Sequence, residues 1–162
     1  CIAGALENVQ GLPPPPDSWA SAQDSDLAIF TLRMDPGAQW KLPAARHSAT
    51  RRLLYFFKGQ GLHINGQAIP VSSVIEVRAN AAIELASGDD ETELLMLQGR
   101  PIGEPVSQYG PFVMNTHAEI QQAFADYRRT EFGGWPWGRS DPVHPREKGR
   151  FAKHADGRVE TR

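Results

Sequence analysis

The chain has 162 residues, 40% of them hydrophobic, and a net charge of −2. This composition suits one folded domain and gives no overall field that would attract nucleic acid or anionic lipid. The single cysteine, Cys1, excludes an intrachain disulfide framework and a thiolate-rich metal site. No apolar run is long enough to span a membrane and no signal peptide is visible, so the sequence predicts a cytoplasmic protein.

The first segment, Cys1–Ala5, has the character of a strand rather than of a natural chain start, since it lacks an initiator methionine. One interpretation is that Cys1 is a processed N-terminal nucleophile with its own amine as base. The interpretation that we favour is that the chain is the C-terminal piece of a longer protein. A stiff proline run, Leu12–Asp17, then begins a polar surface loop that continues to Ser25.

From Asp26 to Arg100 the chain repeats short apolar segments separated by turn residues. Asp35-Pro36-Gly37 and Gly59-Gln60-Gly61 end two of these segments, and Asn65-Gly66 is a strong two-residue hairpin signal. The predicted strands are Leu27–Met34, Gln39–Leu42, Arg52–Lys58, Leu62–Ile64, Gln67–Ile69, Val74–Val77, Ala82–Leu85 and Glu93–Leu97. This spacing predicts a β-sandwich or a β-barrel.

One helix is predicted over residues 117–131, before the stop signal Gly133-Gly134. Thr116 and Glu119 form a capping box at its start, and Ile120, Ala123, Phe124 and Tyr127 form one apolar stripe, which we expect to pack on the outside of the barrel. Residues 128–162 carry 9 basic and 5 acidic side chains, whereas residues 1–127 carry 8 and 14. We therefore expect the basic part to be an extended tail that lies along the acidic body rather than a nucleic-acid site.

Two consecutive segments make the fold prediction specific. Leu97–Pro105 and the run Gly110-Pro111-Phe112-Val113-Met114-Asn115-Thr116 resemble the C-terminal domain of the pirin family. The resemblance implies an all-β fold, a cupin-type jelly-roll barrel with one C-terminal α-helix and an extended tail. It also implies a domain over residues 1–134 and a basic tail over residues 135–162 like the extension of many bacterial members. Pirins have two barrels in tandem, of which this chain would be the second.

The resemblance places metal chemistry outside this chain. In the family the first barrel holds a mononuclear iron site of three histidines and one glutamate, and the family is linked to quercetin dioxygenation and to iron-dependent binding of transcription factors or enzymes. In this chain the cupin ligand positions fall on Pro43, Ala45, Ala49 or Thr50, and Ile83. None of these is a metal ligand. We therefore expect no cofactor here, iron in the missing N-terminal half, and a structural or assembly role for this chain.

Two alternatives remain open at this stage. In the first, His47 and His63 belong to an oxygenase site of this chain's own. In the second, the basic cluster of Arg46, His47, Arg51 and Arg52 contacts an anion or an acidic protein, and the chain is the partner-binding module of a transcriptional or metabolic regulator. The expected partners are the missing N-terminal cupin domain, a second copy of the isolated chain, and an unidentified protein. Catalysis is not expected of this chain alone, although the parent protein could be a quercetin dioxygenase-type oxidoreductase.

Overall fold

The computed structural model describes residues 1–140 and 143–161, so Asp141, Pro142 and Arg162 of the predicted tail lie outside the described residues. The chain forms two compact units, Cys1–Gly103 and Glu104–Arg162. Within the described residues, no helix has both the length and the apolarity that a membrane crossing requires. The predicted boundary at residue 134 remains a prediction.

The first unit contains ten strands in two antiparallel sheets. In chain order they are β1 (Ala3–Leu6), β2 (Val9–Gln10), β3 (Ala28–Met34), β4 (Gln39–Leu42), β5 (Arg51–Lys58), β6 (Leu62–Ile64), β7 (Gln67–Ile69), β8 (Ser73–Val77), β9 (Ile83–Ala86) and β10 (Thr92–Gly99). One sheet has the order β2-β1-β3-β10-β5-β8 and the other the order β4-β9-β6-β7. The strands predicted between Asp26 and Arg100 all form, with ends that differ by at most two residues.

The core lies between the two sheets, because alternate residues of each strand face inward. In β10 every second residue, from Thr92 to Gln98, is buried, and in β5 the buried residues are Arg52, Leu54 and Phe56. The four-stranded sheet adds Leu42, Leu62, Ile64, Ile83 and Leu85 to the same core. These two packed sheets confirm the predicted all-β, cupin-type jelly-roll class, with one α-helix in the remainder of the chain.

One turn and one strand of the first unit require unusual backbone angles. Asn65 and Gly66 both have positive φ, 49° and 78°, as a tight hairpin turn between β6 and β7 demands. In β1, Gly4 has φ of 76°, and a Cβ at this position would lie 1.9 Å from the carbonyl oxygen of Leu27. Glycine at position 4 therefore allows β1 to approach β3, with which it pairs at Ala28 and Ile29.

The second unit begins with a hairpin of β11 (Ser107–Tyr109) and β12 (Phe112–Met114), followed by α1 (His117–Thr130). The predicted capping box is present: the Thr116 hydroxyl accepts from the Glu119 amide at 3.2 Å, and the Glu119 carboxylate accepts from the Thr116 amide at 2.7 Å. Hydrogen bonds from the Thr116 side chain, the Thr116 amide and the Asn115 amide hold the pKa of Glu119 below its ordinary value. The helix ends one residue before the prediction because Glu131 is left-handed.

Aromatic rings join α1 to this hairpin. The Phe124 ring lies 4.8 Å from that of Phe112 and 5.7 Å from that of Tyr109, in both cases edge to face. Sequence analysis did not predict this hairpin. Tyr127 is 48% exposed, and the predicted packing of its stripe on the barrel remains a prediction.

The predicted extended tail contains a second hairpin that sequence analysis did not predict. Its strands are β13 (Phe151–Lys153) and β14 (Val159–Thr161), which follow a 3-10 turn at Arg146–Lys148. The ammonium of Lys148 lies 4.2 Å from the centre of the Phe151 ring. Short strands in this segment were missed because few apolar residues mark them.

Candidate functional site

A group of polar side chains lies inside the first unit, where the apolar core ends. We call it the polar cluster: Asp26, Thr50, Arg52 and Gln98. Arg52 of β5 and Gln98 of β10 are directly opposite one another on neighbouring strands, and both face inward. Asp26 lies two residues before β3, and Thr50 lies immediately before β5. Strands β5 and β10 therefore position half of the cluster and the adjoining loops position the other half.

Arg52 is 1% exposed, which is unusual for an arginine that lacks a direct carboxylate contact. Its Nε donates to Oε1 of Gln98 at 2.8 Å, its Nη2 donates to the same oxygen, and its Nη1 donates to the carbonyl oxygen of Pro43 at 2.9 Å. Burial lowers the pKa of Arg52, and the charge of Asp26 opposes this shift. An arginine keeps its charge under such a shift, so a guanidinium cation is fixed inside the barrel.

Asp26 holds the loop between β4 and β5. One carboxylate oxygen accepts from the backbone amides of Arg46 and His47, at 3.0 and 3.1 Å, and from the Thr50 hydroxyl at 2.6 Å. The Gln98 amide nitrogen donates to the other oxygen at 3.3 Å and to the Asp26 carbonyl at 3.0 Å. Gln98 thus connects the half-buried Asp26 carboxylate to the buried Arg52 guanidinium.

The four basic residues predicted as an anion or partner contact have different surroundings. Arg46 is exposed and His47 is half-buried, and their backbone amides bind Asp26. Arg51 is on the outward side of β5, where it pairs with Glu76 at 2.8 Å. Arg52 is on the inward side of the same strand, so it does not share a surface with Arg51. The predicted contact remains a prediction, and the inward network around Arg52 is what sequence analysis missed.

The family's metal does not fit the residues of this barrel. The ligand positions are Pro43, Ala45, Thr50 and Ile83, and the Pro43 carbonyl accepts from the Arg52 guanidinium, which would repel a metal cation. Among the described residues, no three His, Cys, Asp or Glu side chains are grouped so that they could hold a metal ion. His63 lies between the inward-facing Leu62 and Ile64, and its Nδ1 is 2.9 Å from the Gly61 carbonyl. It therefore faces outward.

Two sheets around an apolar core, with polar side chains where that core ends, define a cupin-type barrel domain. The family model of the pirin C-terminal cupin domain matches residues 29–133. The chain therefore belongs to this family, as its sequence predicted.

Similarity to known proteins, in sequence and in structure, supports this assignment. Pirin-like protein 2 of Arabidopsis thaliana is 41% identical over 105 residues, which cover 60% of this chain and 32% of that protein. The pirin-like protein of Solanum lycopersicum is 33% identical over 108 residues, covering 61% of this chain and 34% of the relative. The crystal structure of quercetin 2,3-dioxygenase from Acinetobacter baumannii has a TM-score of 0.63 and 29% identity, covering 82% of this chain and 43% of that chain. The chain thus spans about a third of the length of the curated relatives it matches.

Proposed function

We propose that this chain is the metal-free C-terminal cupin half of a pirin-like protein and that it supports an iron-binding N-terminal cupin. The parent protein would be a quercetin 2,3-dioxygenase-like cytoplasmic enzyme, with its iron in the first barrel. The observation that carries the proposal is the hydrogen bond from the buried Arg52 to the Pro43 carbonyl. The cupin pattern requires a metal ligand at the position of Pro43. Because a guanidinium cation is bonded there instead, the barrel suits a structural role rather than metal coordination.

An apolar area on the six-stranded sheet supports the assembly role. Tyr55 of β5 is directly opposite Val74 of β8, and both face outward beside Phe57. Val74 is 58% exposed and Phe57 is 51% exposed. The water-facing side of an antiparallel sheet is normally polar, so apolar residues here favour coverage by another protein surface. We propose the N-terminal cupin as the natural occupant and a second copy of this chain as its substitute in isolation.

The metal-free role is tested on the purified chain by elemental analysis after dialysis and by oxygen uptake with quercetin and added ferrous iron. We expect no retained transition metal and no uptake above that of iron alone. About one retained metal per chain, or metal-dependent oxidation of quercetin by this chain, would contradict the proposal.

The assembly role is tested by sedimentation velocity at several concentrations. We expect the unmodified chain to form dimers and Phe57→Lys to shift the equilibrium toward monomer. Leu12→Lys is the matched control, because Leu12 is 79% exposed and follows β2, which lies at the edge of the sheet opposite to β8. If the unmodified chain stays at its monomer mass of 17.9 kDa at every concentration, that result would contradict self-association.

A further inference from the structure

A cavity of about 260 Å³ opens beside the polar cluster. Its wall includes Leu6, Glu7, Ala44, Arg46, Arg52 and Gln98. All of these residues belong to the first unit, and the turn between β1 and β2 forms one side of the opening. The volume lies just below the range of about 300–1,000 Å³ that is typical of pockets for drug-sized ligands. The cavity therefore suits a small molecule.

The Arg52 guanidinium, which lines this cavity, has N–H bonds beyond those used within the polar cluster. An arginine carries five N–H bonds, and Arg52 uses three of them on Gln98 and Pro43. The other two have no partner among the residues that the structure describes. A buried donor on a cation gains more from an acceptor than a neutral donor does, and leaving it without one is costly.

The cavity wall carries two carboxylates and two guanidinium groups, so it is the unused donors of Arg52 that favour a negative ligand there. Asp26 also contributes to the wall, but its carboxylate already accepts four hydrogen bonds, from two backbone amides, the Thr50 hydroxyl and the Gln98 amide. Glu7 is an exposed turn residue, and Arg46 at the rim provides a second cation. The buried positive charge is thus the one whose donors are incompletely used.

We propose that this cavity binds a small carboxylate, whose oxygens accept the unused N–H bonds of Arg52 while its carbon atoms contact Ala44 and Leu6. The planar guanidinium matches a carboxylate better than a point charge would. Arg52 would thereby provide a fixed positive charge in this second barrel, whereas the first barrel of the family is expected to hold a metal ion. The proposal does not depend on the assembly role, since it concerns residues of this chain only.

The test titrates the full chain, in a buffer free of carboxylates, with acetate, propionate and benzoate and with their neutral amides. Binding is followed by the arginine Nε–H signals in two-dimensional NMR, where the signal that disappears in Arg52→Lys identifies Arg52. We expect a saturable shift of this signal with at least one acid and binding at least about tenfold weaker with its amide, because the charged hydrogen bonds are lost.

Two alanines of the same loop provide a matched pair of variants. Ala44 is exposed and lines the cavity, so Ala44→Leu fills the opening without altering any bond of Arg52, and it should weaken binding by about tenfold or more. Ala49 is also exposed but does not line the cavity, and Ala49→Leu should leave the affinity within about twofold. No saturable shift with any acid, equal binding of acid and amide, or an unchanged affinity in Ala44→Leu would each overturn the proposal.

Discussion

Replacing Arg52 by methionine tests whether the polar cluster stabilises the barrel. The change removes the donors to Gln98 Oε1 and to the Pro43 carbonyl, and it leaves the Gln98 oxygen buried and the Pro43 carbonyl partly buried without those donors. Each stranded acceptor costs about 1–3 kcal/mol, and breaking one side of a buried charge network typically costs about 3–5 kcal/mol in total. We therefore expect Arg52→Met to lower the free energy of unfolding by about 3–5 kcal/mol.

The assay is urea unfolding followed by far-ultraviolet circular dichroism, with tryptophan fluorescence as a second probe. Arg51→Met is the matched control: the neighbouring arginine forms an exposed pair with Glu76, so its loss should cost less than about 1 kcal/mol. The double variant Arg52→Met/Gln98→Met removes donor and acceptor together and should be less destabilised than the sum of the two single variants by about 1–3 kcal/mol. If Arg52→Met resembles Arg51→Met, or if the double variant is additive, the network does not stabilise the fold as argued.

Three further predictions concern other parts of the chain. Gly4→Ala should lower the free energy of unfolding by about 2 kcal/mol or more beyond the loss caused by Gly66→Ala, because both glycines have similar positive φ but only Gly4 faces the Leu27 carbonyl. Equal free energies of unfolding for the two variants would contradict this. Phe124→Ala should lower the free energy of unfolding in urea by about 2 kcal/mol, which is less than the loss typical of a fully buried phenylalanine because this ring is half-buried. A loss under about 0.5 kcal/mol would show that the contacts of the ring are weak. Hydrogen bonds hold the folded-state pKa of Glu119 below its ordinary value of 4.5. The stability that this carboxylate contributes is therefore present above pH 4.5 and is lost as the pH falls through the folded-state pKa. Glu119→Gln should therefore flatten the acid-induced loss of helical circular dichroism, and an unchanged acid titration would refute this.

The strands of the barrel were predictable because each is a short apolar segment that ends at turn residues. Asn65-Gly66 and Asp35-Pro36-Gly37 determine where the chain reverses, and the Thr116 capping box determines where α1 begins. Such signals act over a few residues and are visible in the sequence itself. The hairpin of β11 and β12 was missed because its strands are three residues long and one of them follows a proline-rich stretch.

The polar cluster depends on neighbours that are distant in sequence. Arg52 is in phase with the apolar Leu54 and Phe56, and this was the one available sign that its side chain faces the core. Its partner Gln98 is 46 residues away, so neither spacing nor composition could pair the two. The basic residues at 46–52 therefore looked like one surface cluster, although alternation along β5 places Arg51 and Arg52 on opposite sides.

The central position of β10 has a consequence for how fast the first unit folds. Thr92 pairs with Met34 and Gln98 with Ala28, residues that are 58 and 70 positions apart in the chain. The hairpin of β6 and β7, by contrast, closes over a two-residue turn and can form within microseconds. Pairings over such long separations require large loops to close first, which slows folding to milliseconds or seconds. Until β10 inserts between β3 and β5, both strands present open edges, and this is the period in which a chaperone would be most useful.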